Sequence, residues 1–402
     1  MTTHSGIVGG LAWGRSSFGP RLRLPFSRAI RTGLAGLFVA VELTGCAAPN
    51  LTPSVHGTFT PTGSTTSARP SHTATLLPDG RVLVIGVALT FPGRTPSAEL
   101  YDPEIGGFSD AGAMTIARDG PDATLLPDGR VLISGGSIDS VPIALAEVYD
   151  PKIGTFTPTG SMVHARPGQT ATLLSTGRVL IAGGEDAGLL PSAELYDPAT
   201  GTFSPTGSMK AGRACDTATL LSDGRVLMAG GHGSSVLASA ELYDPKTGAF
   251  SPTGSMGTAR YRHTASLLPD GRVLIAGGGG VSGSLASAEL YDPKTGTFGP
   301  TGSLAHAREI HTATSLSDGR VLVAGGFGES LALASSELYD PSSGTFSETG
   351  SMTSVRDWHT ATLLSDGRVL IVGGQDGRGL RPVKGSSVGS GSILASAELY
   401  QP

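Results

Sequence analysis

Only two cysteines occur in 402 residues, Cys46 and Cys215. A framework of several disulfides is therefore excluded, and the fold must stand on packing. Charged side chains make up 15% of the chain and the net charge is −5. That balance excludes the lysine and arginine field a nucleic-acid partner requires. No run of about 18 apolar residues is present, which excludes a helix spanning a bilayer. No apolar period of 3.6 residues develops after position 50. A His-Glu-x-x-His zinc pair, a Gly-Lys-Ser/Thr phosphate loop and an acidic calcium loop are also missing. Glycine and proline, at 60 and 27, are abundant instead, as expected of short strands joined by tight turns.

Those turns recur. Gly80, Gly129, Gly177, Gly224, Gly271, Gly319 and Gly367 each close a Pro/Ser-Asp/Thr-Gly turn, 47 to 49 residues apart. A fixed period of this size means that each unit buries its apolar faces only against its neighbours. In the fifth unit Thr264–Leu268 and Arg272–Ala276 flank Asp270-Gly271, a hairpin signal. Gly277-Gly278 ends the second strand. Ala288–Tyr291 forms a third, and Asp292–Gly296 turns the chain into Thr297-Phe298. Four antiparallel strands make one propeller blade. The period, the Gly-Gly pair, the third-strand Tyr and the fourth-strand aromatic resemble kelch repeats. Phe replaces the more usual Trp in the fourth strand, Val87 replaces a glycine in blade 1, and Thr176 replaces the turn Asp in blade 3. The expected fold is an all-β, seven-bladed propeller over residues 57–402. The strand around Phe59 is expected to complete the last blade beside Tyr400.

Residues 1–45 differ in kind. Five arginines precede an apolar stretch, Leu34–Val41, and Leu43-Thr44-Gly45-Cys46 follows. That order is read as an export signal, and Leu-Thr-Gly-Cys resembles a bacterial lipobox, which implies lipidation at Cys46. Residues 1–45 are then a signal peptide and 46–56 a linker. The remainder carries −9, more acidic than the whole chain. A cell-envelope lipoprotein is expected, touching the membrane through its lipid only, or else a periplasmic or secreted protein.

A feature shared by every blade cannot mark a single site. Arg69, Arg118, Arg166, Arg213, Arg260, Arg308 and Arg356 precede the first strands, and a glutamate sits on each third strand. These are read as loop anchors, with an anion-binding ring as the alternative. Departures from the template say more. His72, His263, His311 and His359 stand three residues after their arginines, where blades 2, 3 and 4 carry Pro121, Gln169 and Asp216. Phe91, Tyr261, Phe327 and Trp358 are aromatics outside the template, all in segments at one face of blades 1, 5, 6 and 7. With Arg262, His263, His359 and the long final loop's Arg378 and Arg381, they suggest a sector for protein or carbohydrate.

The expected function is thus a tethered binding scaffold for a protein or glycan partner, with no catalytic residues, metal or other cofactor. Two alternatives stand beside it. One is a purely structural or adhesive module. The other follows from similarity to galactose oxidase and glyoxal oxidase, which share this propeller and bind copper. That resemblance implies a crosslinking cysteine near Cys215, its tyrosine partner near Tyr261, and a Tyr–His pair near Arg356-Asp357-Trp358-His359, where Trp358 replaces the tyrosine.

Overall fold

The computed structural model describes residues 57–69, 71–90, 93–377 and 392–402. They form seven four-stranded antiparallel sheets and no helix. In blade 5, Thr264–Leu267 pairs with Val273–Ala276, which pairs with Ala288–Asp292, which pairs with Thr297–Pro300. Gly271 closes the first hairpin at φ 86, where a side chain would be strained. Its N–H donates to the Leu268 carbonyl at 2.9 Å.

The second strands read as unbroken apolar runs because both of their faces are covered. Val273, Leu274, Ile275 and Ala276 are all at most 1% exposed. Successive side chains point to opposite faces of a strand. Val273 and Ile275 accordingly pack on Leu227 and Leu242 of blade 4, while Leu274 and Ala276 pack on Val321 of blade 6. Seven such clusters fill the seven seams. Each third-strand tyrosine lies against the fourth-strand phenylalanine of its own blade, Tyr291 and Phe298 with centroids 4.8 Å apart. The Tyr291 hydroxyl meets Thr253 Oγ1 of the preceding blade at 2.9 Å.

The ring closes as expected. Thr58–Pro61 pairs with Ala397–Gln401, placing Phe59 opposite Tyr400 and Thr60 opposite Leu399. One apolar cluster joins blade 7 to blade 1 through Leu370, Leu399, Val82 and Val84. First strands touch their neighbours all the way around the central channel. Val87 has a visible effect. In blades 2 to 7 the second strand ends at a Gly-Gly pair with both φ values positive. In blade 1 the pair is Gly86-Val87, neither is left-handed, and the hairpin runs on as Val82–Thr90 against Gly93–Asp102.

Candidate functional site

The links between blades enter the first strands at one face of the ring, and three consecutive positions there have separate roles. The arginines come first. Arg308 is sealed from water, with Nη2 2.8 Å from Glu337 Oε1. Its Nη1 donates to the carbonyls of Gly325 and Ser335 at 2.7 and 2.9 Å. Glu337 Oε2 in turn accepts the Ala305 N–H at 2.8 Å. The same buried bridge recurs in all seven blades. These arginines pin the links and present no charge to the channel.

Three residues on, the histidines bridge blades. His72, His263, His311 and His359 place Nε2 2.9, 3.1, 2.9 and 3.0 Å from Thr360, Thr217, Thr264 and Thr312 of the preceding blade. Burial depresses their basicity, to about 4 for His72, about 3 for His263 and His359, and well below the ordinary value for His311. All four are therefore neutral hydrogen-bonding links. Gln169 serves similarly in blade 3, bonding Ser134 at 3.1 Å. Pro121 cannot, and Thr73 Oγ1 is left buried without a partner. In blade 4, Asp216 takes the position and neither carboxyl oxygen finds a partner. Burial raises its pKa to about 7.

Between these two positions lies a residue that every blade holds in the left-handed region. The column reads Ser71 (φ 51), Gly120 (56), Gly168 (70), Cys215 (55), Arg262 (51), Ile310 (58) and Trp358 (53). Left-handed backbone costs a non-glycine residue roughly 1–2 kcal/mol, so this recurrence is imposed by the link geometry. The column is partly laced by main-chain bonds: Gly120 N to Ser71 O, Cys215 N to Gly168 O, Arg262 N to Cys215 O and Ile310 N to Arg262 O, at 3.0 to 3.2 Å. It rims the channel mouth, where a cavity of about 340 Å³ is lined by Cys215, Asp216, Arg262, Ile310 and Trp358 among others. The Arg262 guanidinium stands 5.1 Å from the centre of the Trp358 ring and 5.6 Å from that of Tyr261. Burial pushes the Cys215 thiol pKa up, with a hydrogen bond to Arg262 opposing it. Larger clefts of about 530 to 620 Å³ occur at the opposite face, but they repeat between the Asp-Gly turns of successive blades and so mark no single site.

Of the residues picked out by sequence, Arg262, His263, Trp358 and His359 meet at this mouth. Tyr261 lies outside it, its backbone laddered to Gly279 and its ring edge-on to His232 at 6.3 Å. Phe327 is 8% exposed, bridged to Glu309 and Ala332. Phe91, Arg378, Arg381 and Cys46 lie outside the described residues. Sequence reasoning did not align Cys215, Arg262 and Trp358 in one column, nor place Ser71, Asp216 and Ile310 with them. The only available signal was positional, two residues after each recurring arginine, because no residue type is common to the whole column.

No protein-family model matches the chain, and no curated protein matches it. Among solved structures it is similar to a fungal alcohol oxidase described as having catalytic diversity within the AA5 family, in complex with copper. The two are 23% identical with a TM-score of 0.71, over 86% of this chain and 76% of the oxidase. This likeness establishes the shared propeller. It also corrects the expectation of a binding scaffold, since the architecture on which that reading rested is one on which an oxidase is built.

The donor set at the mouth does not fit the oxidase's metal. Copper needs several nitrogen, oxygen or sulfur ligands converging. The nearby histidines have Nε2 committed to threonines. After Cys215 the column continues with Arg262, and Tyr261 is not among the residues that line the cavity. Trp358 supplies no ligand. Among the described residues no three His, Cys, Asp or Glu side chains gather as a metal site. Residues 378–391 contain none of these types and no tyrosine.

Proposed function

We propose that the chain is an oxidoreductase-type propeller taking a small oxygen-bearing substrate, an alcohol, an aldehyde or the acid derived from them, at its channel mouth. One observation carries this reading. The column that varies freely between blades gathers a thiol, a guanidinium and an indole around one cavity, beside the unpartnered carboxyl of Asp216. The likeness to an alcohol oxidase supports it at the level of architecture. Arg262 can donate hydrogen bonds to a substrate oxygen, and Trp358 offers an apolar wall. Asp216, whose acid form persists to about pH 7, can hold or release a proton beside them. No step is routed through copper, because the residues do not provide its ligands. Export accords with this reading, supported by the basic segment, apolar stretch and Cys46 of residues 1–56.

Oxygen uptake and peroxide release with primary alcohols and aldehydes, with and without added copper, test the proposal, alongside binding of the same compounds. Binding of one of these compounds that weakens at least tenfold in Asp216→Asn is the expected result, since the described residues supply hydrogen bonds and a proton but no redox group of their own. Copper-dependent peroxide would reinstate a metal centre against the donor set. Absence of both turnover and binding would rule the reading out.

A further inference from the structure

We infer that the channel mouth selects a small carboxylate, gripped by Arg262 and stacked against Trp358. The inference rests on the mouth being the ligand site, and it names the ligand's charge and size.

The arginines of this protein are almost all spoken for. Seven are bridged to buried glutamates. Six more are paired with the aspartate two residues earlier in their hairpin turns. Among the described side chains only Arg178 and Arg262 have no carboxylate within 4.0 Å. Arg178 follows Thr176, where the turn aspartate is missing. Arg262 has a different setting, since it stands at the rim of a cavity with Nε buried and without a hydrogen-bond partner.

No carboxyl group forms an ion pair with it, although Asp216 lines the same cavity and Asp357 feels its charge. Glu309 and Asp357 are 5% and 2% exposed, and neither comes within ion-pair distance of the guanidinium. Burial raises the Asp357 pKa to about 6, with a hydrogen bond from Gln375 and the charge of Arg262 opposing the rise. The cavity floor adds no competing cation, because His263, His311 and His359 are neutral and bonded to threonines. Around the rim, main-chain bonds already use the amides of Cys215, Arg262 and Ile310. That leaves the Arg262 guanidinium as the cationic donor in the cavity.

Geometry and size narrow the class further. A guanidinium presents paired N–H groups that match the two oxygens of a carboxylate. It already lies over the Trp358 ring, which fixes its place at the rim, and Trp358 and Ile310 line the cavity where the body of the same acid would sit. A cavity of about 340 Å³ is at the lower end of ligand pockets. Small monocarboxylates suit it better than a polysaccharide or a peptide.

The test uses the full-length protein carrying Trp13→Phe, so that tryptophan fluorescence reports Trp358 alone. Calorimetric titration compares glycolate, lactate and benzoate with their neutral counterparts ethylene glycol, propanediol and benzyl alcohol. The acids are expected to bind at least tenfold more tightly and to shift the Trp358 emission. Arg262→Gln should abolish that preference while leaving the melting temperature unchanged, since both residues bear the same left-handed backbone. Arg262→Lys should retain part of it. Equal binding of acids and neutral compounds, or a preference that survives Arg262→Gln, overturns the carboxylate inference and leaves the mouth as a ligand site. Binding of neither class overturns both.

Discussion

Arg308 and Glu337 are both sealed from water, and a bridge in that setting is costly to halve although it adds little over an apolar pair. Arg308→Ala leaves a buried carboxylate with only the Ala305 and His306 N–H groups as donors, and chemical denaturation is expected to record a loss of about 3–5 kcal/mol. The double variant Arg308→Met, Glu337→Leu should lose far less, and a loss as large as the single variant's would contradict this account. Ile310 tests the strained column from the other side. Its φ of 58 is unfavourable for a β-branched residue, and two other blades place glycine there. Ile310→Gly is expected to gain about 1 kcal/mol, the relief of left-handed strain less glycine's greater chain entropy. No gain would mean that Ile310's contacts at the mouth outweigh its backbone cost. At this scale the sequence was partly legible. Arg and Glu recur in every unit, so their mutual service could be read. Arg262 and Trp358 stood out as departures, but nothing in their types told that they share a column with Ser71 and Cys215.

Seams between blades are built from the same parts, and the seam between blades 1 and 2 lacks two of them. Elsewhere a threonine following the fourth strand bonds the next blade's tyrosine, as Thr159 does Tyr196 at 3.0 Å. Ala111 stands at that position before Tyr149, and burial raises the Tyr149 pKa. Pro121 replaces the bridging histidine and strands Thr73 Oγ1. An unmade buried hydrogen bond costs about 1–3 kcal/mol. The double variant Ala111→Thr, Pro121→His should therefore raise stability by about 1–2 kcal/mol. It should also slow hydrogen exchange in Val131–Ser134 relative to the equivalent strands of other blades. If that strand is already as protected as Val273–Ala276 in the natural protein, the seam is not a weak point. Strands and hairpins were legible here because local propensity, turn chemistry and apolar alternation agree in each unit. The long hairpin of blade 1 was less so. Val87 replaces a single glycine, yet that removes the left-handed break that stops the strand in the other blades.

Around the whole ring, buried titratable groups set opposing pH dependences. His72, His263, His311 and His359 have folded pKa values below 6.5, so the unfolded chain takes up protons first as pH falls and stability is lost from about pH 6.5 downward. Asp122 and Asp216, raised to about 7, and Asp357, raised to about 6, work oppositely. Their contribution is full below the unfolded value near 3.8 and is lost as pH rises through the folded values. Asp216→Asn removes one opposing group. The difference in melting temperature between pH 8 and pH 5 should widen, mainly through a rise at pH 8, and a narrowing would refute the assignment. Closure is the other property of the entire array. The pairing of Thr58–Pro61 with Ala397–Gln401 was legible because the last unit wants a fourth strand and the first residues of the array supply one. A one-piece ring depends on that strand, since without it Ala397–Gln401 becomes an open edge and Tyr400 loses Phe59 at 4.9 Å. Relative to the chain that lacks residues 1–56, the chain that lacks residues 1–61 should show a lower and broader calorimetric transition as blade 7 separates from blade 1. If both deletions melt alike, the ring is held shut by the seam cluster of Leu370, Leu399, Val82 and Val84 alone, and the strand exchange contributes nothing to closure.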